Sequence, residues 1–410
     1  MSALRSGIKN SSSLGLVVKP VWTGGVSGST AARLSGNLRL FQPKTTIMAA
    51  TRSLSTQVSP LQSTHPRPSP PTQATVLGNA SRKYSQTARR STPEAALKPG
   101  ANGYAADIAE ATAVAQQPII HDVYESKTGT WQYIVVDPST NKAVIIDPAL
   151  DYDPATQTIT FTTADALLSL VREKGYIVDM ILETHAHADH LTAASYLQSR
   201  LEQEQGDRPF IGIGKRIGQV QKLFGQKYGV PVEEMEGAFD KLFDDDEVFH
   251  VGNLEATALH LPGHTPDHLG YKIGDHVFCG DSLLNVDIGT ARCDFPGGSA
   301  QDLFKSGRRL LSLPDHVKIW NGHDYPSSTR TDPVPYVTVG SHREHNKHLM
   351  DGATEDQYVS LRRQRDATMG EPRLLHQSLQ INIRGGRLPE PTESGQRFVH
   401  LPLKMLVEEW

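Results

Sequence analysis

Four side chains that commonly bind metals lie within six residues, directly after an apolar segment. The segment Ile177–Leu182 predicts a strand, and Thr184–His190 follows it with the letters THAHADH. His185 and His187 are two residues apart, so on extended backbone their side chains point the same way. We expect a helix to start at Asp189, whose carboxylate would then face free backbone N–H groups. Imidazole and carboxylate together suit Zn, Fe or Mn.

Three later fragments each place a His or Asp directly after a predicted strand. Every fragment also contains a glycine, which allows the backbone to approach closely. Because neighbouring strand ends form one rim of a sheet, these side chains can converge with the first four. A single HxH pair would be weak evidence, but the combination predicts a metal site. The fragments are Pro262–Thr265 with His264, Gly280–Ser282 with Asp281, and Asn321–Tyr325 with His323.

Other histidines and the two cysteines receive no metal-binding role. We interpret His260 and His276 as ordinary structural or surface residues, and His268 as a polar neighbour of the site. Cys279 is expected to be a small buried side chain, and Cys293 is not assigned to catalysis. Two cysteines without CxxC spacing cannot form a disulfide scaffold, which fits a reducing compartment.

Alternating strand and helix patterns must position these fragments. The β-branched runs Trp131–Val136 and Ala143–Ile146 predict a hairpin-like pair of strands. Apolar periodicity predicts helices, and two further helix-like stretches follow Ser341. The pattern as a whole indicates an α/β fold. The predicted helices are Thr163–Lys174, Asp189–Gln205, Ile217–Tyr228 and Ala300–Leu313, and a further strand pair is Asp240–Val251 with Leu254–Leu261.

The charge of the chain is distributed very unevenly. Twelve basic and no acidic residues precede Glu94, so the first 93 residues carry +12 and the remaining 317 carry −16. Residues 1–93 are rich in Ser and Arg, which is typical of a disordered mitochondrial transit peptide with a basic linker. We therefore expect the protein to be located in the mitochondrial matrix. Residues 94–117 are expected to form a linker between the transit peptide and the folded part. The alternative is an ordinary disordered basic tail.

Composition also excludes several classes of partner. The acidic longer part argues against a nucleic-acid-binding surface and against a nuclease. No apolar run approaches the ~18 residues of a membrane span. We expect small-molecule substrates, neither nucleic acid nor membrane, and we leave a homodimer open.

The motifs resemble one enzyme superfamily in both type and order. The metal-ligand fragments are similar to those of the metallo-β-lactamase superfamily, which implies an αββα sandwich with the metal site at the sheet edge. Four further sequence fragments resemble the glyoxalase II-related branch of this superfamily. Within the branch, the closest resemblance is to persulfide dioxygenases and bacterial β-lactamase hydrolase-like proteins. The resemblance implies a catalytic domain over residues 118–340 and a C-terminal helical extension, residues 341–410, that packs on it. The fragments that carry the resemblance to this branch are Ala143–Pro148, Thr184–Thr192, Gly289–Phe295 and Ile381–Pro389.

The resemblance implies two alternative sets of metal ligands. In persulfide dioxygenases, positions matching His185, His264 and Asp281 hold a single Fe(II) as a 2-His-1-carboxylate triad with open positions. In glyoxalase II enzymes, a first metal also uses the position of His187, and Asp281 bridges to a second metal. The ligands of that second metal would be Asp189, His190 and His323.

The reaction that we expect from this resemblance is the oxidation of glutathione persulfide by O2 to sulfite and glutathione, with one Fe(II) per chain. The alternative is hydrolysis of a glutathione thioester, for which zinc is a suitable metal. A metal-binding protein without catalysis is a third hypothesis. Because glutathione is anionic, cationic groups near the rim are expected. We predict that Arg292, Tyr325 and Arg343 bind the substrate.

Overall fold

Strands and helices alternate through the described part of the chain, residues 117–326 and 330–405 of the computed structural model. The strands are β1 (Ile119–Glu125), β2 (Thr130–Val136), β3 (Lys142–Ile146), β4 (Ala149–Asp153), β5 (Thr158–Thr160), β6 (Ile177–Leu182), β7 (Leu191–Thr192), β8 (Phe210–Gly214), β9 (Lys241–Phe243), β10 (Glu247–Val251), β11 (Leu254–His260), β12 (Leu269–Ile273), β13 (His276–Phe278), β14 (Lys318–Trp320) and β15 (Tyr336–Thr338). The helices are α1 (Thr162–Lys174), α2 (Ala194–Gln205), α3 (Ile217–Tyr228), α4 (Val232–Met235), α5 (Ala300–Leu311), α6 (Val339–His345), α7 (Glu355–Asp366) and α8 (Leu375–Asn382).

Two mixed sheets of six strands form the centre of the fold. The first has the order β1-β2-β3-β6-β8-β9, and the second has β10-β11-β12-β13-β14-β15. In the first sheet β2 and β3 are antiparallel, as the hairpin signal predicts, whereas β3, β6, β8 and β9 are parallel. Parallel strands point their carboxyl ends to one edge, which is the edge where Thr184–His190 begins.

Side-chain alternation along the strands builds one apolar core between the two sheets and one on the outer face of each sheet. Tyr133 and Val135 of β2 face the second sheet and pack in the layer that includes Phe278 and Trp320. Ile134, in the opposite orientation, packs with the apolar stripes of α1 and α2 on the outer face of the first sheet. The outer face of the second sheet is covered by α5 and α7. This is the αββα sandwich that the resemblance implies, because each amphipathic helix buries its stripe on one sheet face.

Two predicted elements are wrong in their bounds. The helix expected from Asp189 begins only at Ala194, and the short strand β7 precedes it. The backbone N–H of Ala186 is bound to the carboxylate of Asp267 at 2.8 Å, so the ligand segment is held by tertiary contacts instead of a helix. The single strand expected over residues 240–251 is divided between the two sheets. Asp246 takes left-handed backbone with φ 60°, and at this point the chain leaves the first sheet for the second.

The segment after residue 341 packs on both sides of the sandwich. Tyr358 of α7 joins the core formed with α5, and Leu379 of α8 joins the core formed with α3. A capping box begins α7, in which Thr354 and Gln357 satisfy each other's backbone N–H groups. The domain boundary at residue 341 stays a prediction.

Several sequence-based expectations fall outside the described residues. The transit peptide over residues 1–93, most of the linker over 94–117 and the last five residues of the extension belong to this group. None of the helices in the described part of the chain combines the length and the hydropathy needed to cross a bilayer.

A buried carboxylate links the turns of the two sheets and makes stability depend on pH. Asp137 accepts hydrogen bonds from Ser139 and Thr140 in its own turn and from the N–H of Asn253 in the turn after β10. Burial raises the pKa of Asp137, but these hydrogen bonds outweigh it and lower the pKa from 3.8 to about 2. The stabilisation is therefore complete above pH 4 and is lost as pH falls toward 2.

We expect Asp137→Asn to lower the free energy of unfolding by about 1–3 kcal/mol at pH 7, since bonds to a charged group are removed. The difference from the unchanged protein should shrink between pH 4 and pH 2. Urea unfolding at several pH values measures it. A difference that stays constant from pH 7 to pH 2.5 would contradict this assignment.

Candidate metal centre and adjoining cavity

The ligand segment is attached to the end of the neighbouring strand by one carboxylate. Asp147 follows β3 and accepts hydrogen bonds from the N–H and the hydroxyl of Thr184, at 2.7 and 2.8 Å. The oxygen that accepts from the Thr184 N–H, Oδ1, also lies 3.1 Å from Nε2 of His187. Asp147 is buried and has left-handed backbone with φ 48°. Its carboxylate therefore positions the start of the ligand segment relative to the first sheet.

One group of candidate ligands consists of His185, His264 and Asp281. Their donor atoms all lie within 4.8 Å of one another. Nδ1 of His185 is bonded to the Thr184 hydroxyl at 2.9 Å, and Nδ1 of His264 to the carbonyl of Arg292 at 2.7 Å. Each ring therefore has its Nε2 atom available for the centre, with Nε2 of His264 lying 3.7 Å from Oδ2 of Asp281.

A second group consists of His187, Asp189, His190 and His323, again with donor atoms within 4.8 Å of one another. Nε2 of His323 lies 2.9 Å from Oδ2 of Asp189 and 3.7 Å from Oδ2 of Asp281. Asp281 therefore contacts members of both groups. The structure brings all seven predicted ligands together, from four separate parts of the chain.

His187 is oriented by two acids and so offers its other nitrogen to the centre. Its Nε2 atom faces both Asp147 and Glu183, at 3.1 and 3.3 Å. Glu183 also accepts a hydrogen bond from the Thr192 hydroxyl. Sequence reasoning missed Glu183, although it lies directly before the THAHADH letters. Carboxylates that hold the far nitrogen of a ligand histidine are a common feature of metal sites.

Unsatisfied buried atoms show that the residues fit a metal. A buried donor or acceptor without a partner costs roughly 1–3 kcal/mol, so several at one place require an explanation. Imidazole nitrogen and carboxylate oxygen are suitable ligands for Zn, Fe or Mn. Four such atoms lack a hydrogen-bond partner, namely Nε2 of His185, Nδ1 of His187, Nε2 of His190 and Oδ1 of Asp281. Oδ2 of Asp189 and Nε2 of His323 are paired with each other, at 2.9 Å.

Charges within the cluster are distributed to suit a cation. Burial, together with the neighbouring His187, His268 and His264, lowers the pKa of His185 well below its ordinary value, so this ring is neutral. Burial alone would raise the pKa of Asp189, but His323 and His190 lower it well below the usual range. Burial opposes a charge on His323, yet Asp189 and Asp281 raise its pKa to about 9. The carboxylate of Asp189 is thus ionised and paired with a protonated His323, and a metal ion that binds here would displace that proton.

His268 supports the centre without belonging to either ligand group, in agreement with its interpretation as a polar neighbour. Its Nε2 atom accepts a hydrogen bond from the N–H of Asp281 at 3.1 Å, and its ring stacks on that of His185. Cys279 and Cys293 are both buried free thiols. Burial raises the pKa of each to about 12, which makes a nucleophilic role unfavourable.

A cavity of about 390 Å³ adjoins the centre. His264, Asp281 and Asp189 form part of its wall, and Leu284 and Ile288 contribute an apolar side. A cavity of about 560 Å³ lies between α3 and α4, but none of the seven ligands lines it. The smaller cavity is therefore the candidate substrate site.

Of the three predicted substrate-binding residues, two line this cavity. Tyr325 is half-exposed and its ring is stacked on that of His323. Arg292 lines the cavity too, but its guanidinium is paired with the carboxylate of Asp294 and bonded to a carbonyl of residue 370. The prediction for Arg343 is wrong, because this exposed side chain pairs with Asp315 and Asp351 and does not line the cavity.

Besides Arg362, which pairs with Asp366, three cationic side chains of the cavity were missed by sequence reasoning. Lys127 comes from the turn between β1 and β2, Arg365 from α7 and Arg373 from the segment before α8. Arg365 and Arg373 have no carboxylate within 4.0 Å among the described residues, so their charge is available to a ligand. The basic run Arg362–Arg365 is a sequence signal for one of them, but only the fold shows which side chain faces the cavity.

A family model for the metallo-β-lactamase superfamily matches residues 127–323. A β-lactamase hydrolase-like protein of Xylella fastidiosa is 41% identical over 292 residues, which are 71% of this chain and 66% of that protein. The chain thus spans just under two thirds of that relative. Glyoxylase B2 of Dictyostelium discoideum is 39% identical over 69% of this chain and 96% of its own length. This protein belongs to the metallo-β-lactamase superfamily.

More distant relatives agree with this membership. A mitochondrial persulfide dioxygenase of Bos taurus is 28% identical over 214 residues, or 52% of this chain and 70% of that protein. The crystal structure of ETHE1 from Myxococcus xanthus superposes with a TM-score of 0.52, at 24% identity, over 66% of this chain and all of that one. The predicted superfamily, branch and αββα fold are confirmed. For the reaction, the more similar relatives carry hydrolase-type names, which agree with the thioester-hydrolase alternative better than with the dioxygenase.

Metal content should follow the two ligand groups. We expect His323→Ala to retain about half of the metal of the unchanged protein, because the group of His185, His264 and Asp281 is intact. Asp281→Ala, which alters both groups, should retain less. Metal analysis after dialysis measures this. His316→Ala, at an exposed histidine paired with Asp275, is the control and should keep full content. Full retention by His323→Ala would contradict a two-group centre.

Proposed function

We propose that this protein is a metal-dependent hydrolase acting on a thioester of glutathione or of a similar anionic thiol. The observation that carries the proposal is a pair of adjoining ligand groups next to a cavity with available guanidinium groups. Asp281 of one group lies 3.7 Å from His323 of the other. The names of the more similar relatives support hydrolysis over oxidation. Neither the metal nor the substrate follows from those names.

The cavity has the charge and shape for a glutathione-type ligand. Arg365 and Arg373 line the cavity with charge available to carboxylates, and Lys127, which lies 3.7 Å from Asp151, adds a further cation. Leu284 and Ile288 offer apolar contact to the thiol-linked group. The acyl group is thereby directed toward the wall formed by His264 and Asp281.

Hydrolysis requires water to attack the thioester carbonyl, after which the C–S bond breaks and the thiol leaves. Divalent ions held by the two ligand groups would supply Lewis acidity and make water nucleophilic near neutral pH. The hydroxyl of Tyr325 lies at the cavity and is able to donate a hydrogen bond to a substrate oxygen.

A second candidate function is persulfide dioxygenation, in which water and O2 convert glutathione persulfide to glutathione and sulfite. The S–S bond breaks, the terminal sulfur is oxidised and O2 is reduced. The group of His185, His264 and Asp281 favours it, because two histidines and one carboxylate are the ligand set of non-haem Fe(II) oxygenases. Fe(II) would supply the redox chemistry that zinc lacks. The bovine relative supports this candidate at lower identity.

Parallel assays separate the two reactions. The protein is loaded anaerobically with Fe(II) or with Zn²⁺, and each form is given S-lactoylglutathione and glutathione persulfide. We expect thioester hydrolysis, followed as loss of absorbance, to be abolished by Asp281→Ala. Oxygen uptake with the persulfide, restricted to the iron form and without hydrolysis, would replace our proposal by the dioxygenase. Absence of both reactions would reject both.

The free arginines should control substrate affinity. We expect Arg365→Gln and Arg373→Gln each to raise KM roughly 10-fold or more with little change in kcat, since a charged hydrogen bond contributes about 1.5–3 kcal/mol. Steady-state kinetics on whichever substrate is turned over measures this. Arg343→Gln is the matched control, because that arginine pairs with Asp315 and Asp351 and should leave KM unchanged. Equal effects of all three variants would contradict the assignment.

We also propose the mitochondrial matrix as the location, on the basis of the acid-free basic segment over residues 1–93. Fusion of these residues to a fluorescent protein should direct it to mitochondria. A fusion that stays in the cytosol would reject this proposal.

A further inference from the structure

A buried amide from the C-terminal extension contacts the backbone of the ligand segment at three points. The side-chain nitrogen of Asn382 donates to the carbonyls of His187 and His190, both at 2.8 Å. Its oxygen accepts a hydrogen bond from the N–H of Thr192 at 2.9 Å. Asn382 ends α8, almost 200 residues from these partners in the chain, and is only 4% exposed.

The hydrogen bonds of Asn382 hold the backbone of residues in one of the two ligand groups. His187 and His190 both belong to the group with Asp189 and His323, and they lie on a stretch without regular secondary structure before β7. His185, in contrast, is oriented through Thr184 and Asp147. We propose that Asn382 is a positioning residue that holds this second ligand group in the geometry for a metal ion.

The amide is itself held in place from outside the ligand segment. Gly385 and Gly386 follow α8 with φ of 64° and 85°. A Cβ on Gly386 would lie 3.0 Å from the backbone nitrogen of Ser195, so this turn packs closely on the start of α2. Nε2 of Gln221 in α3 bonds the carbonyl of Ile383 at 2.9 Å. The chain that follows Asn382 is therefore held in place by contacts with α2 and α3.

Only an amide satisfies all three partners. Two carbonyl oxygens need donors and one N–H needs an acceptor, and the Asn side chain supplies both kinds of atom. An Asp of the same shape would present acceptors to two carbonyl oxygens that are themselves acceptors. The backbone at His187 and His190 would then move, and with it Nδ1 of His187 and Nε2 of His190.

The proposal rests on the two-ion centre of the proposed hydrolase, and its test measures metal binding independently of turnover. The test is titration of metal-free protein with Co²⁺, followed by visible absorption and by competition with a chelator. In Asn382→Asp we expect the dissociation constant of the second ion to rise at least 10-fold and its absorption band to change. The first ion, bound by the group with His185, should keep its affinity within about twofold.

Asn346→Asp is the matched control for placing a carboxylate at a buried amide. Asn346 is likewise buried and bonds the carbonyl of Gly289, and none of its hydrogen-bond partners is a candidate ligand, so both ion affinities should be unchanged. Gly386→Ala serves as a second variant if Asn382→Asp does not fold, and it should weaken the second ion in the same way. The unchanged protein binding a single ion, or equal weakening of both ions in the variants, would overturn the proposal.

Discussion

The contact between Asp147 and Thr184 determines where the metal ligands can be. It joins the end of β3 to the start of the ligand segment through two hydrogen bonds from one residue, and the same carboxylate orients His187. A buried carboxylate is costly unless it is fully paired, and here the Thr184 donors and the His187 ring provide the pairing. His187 and the two Thr184 hydrogen bonds outweigh burial and lower the pKa of Asp147, so the group is ionised.

Further hydrogen bonds hold the remaining candidate ligands at the same edge of the sheets. His268 holds the backbone of Asp281, and the carbonyl of Arg292 holds His264. His323 arrives after β14, where the N–H of Trp131 bonds the carbonyl of Gly322 and ties the two sheets together. His185, His187 and His264 thus each have their far nitrogen occupied by a protein partner, which leaves the other nitrogen for the centre. Such preparation lowers the cost of ordering the ligands when a metal binds.

The C-terminal extension contributes to the centre and to the cavity by separate means. Its helix α7 and the following segment bring Arg365 and Arg373 to the cavity, whereas α8 brings Asn382 beneath the ligand segment. Buried Arg362, paired with Asp366 and bonded to the carbonyl of Thr290, attaches α7 to the loop that forms the cavity wall. The cavity wall and the support of the ligand segment consequently include residues far in sequence from the superfamily motifs.

The sequence by itself determined the superfamily, the αββα class and the seven candidate ligands that the fold brings together, because those signals are local. Histidines and aspartates next to strand ends can be read without knowing which strands are neighbours. Tertiary structure decided what depends on long-range contacts. The helix expected at Asp189 starts at Ala194, since contacts from Asp267 and Asn382 outweigh local propensity. Likewise, Arg343 and Arg365 are both arginines of the extension, and only packing turns one toward surface acids and the other toward the cavity.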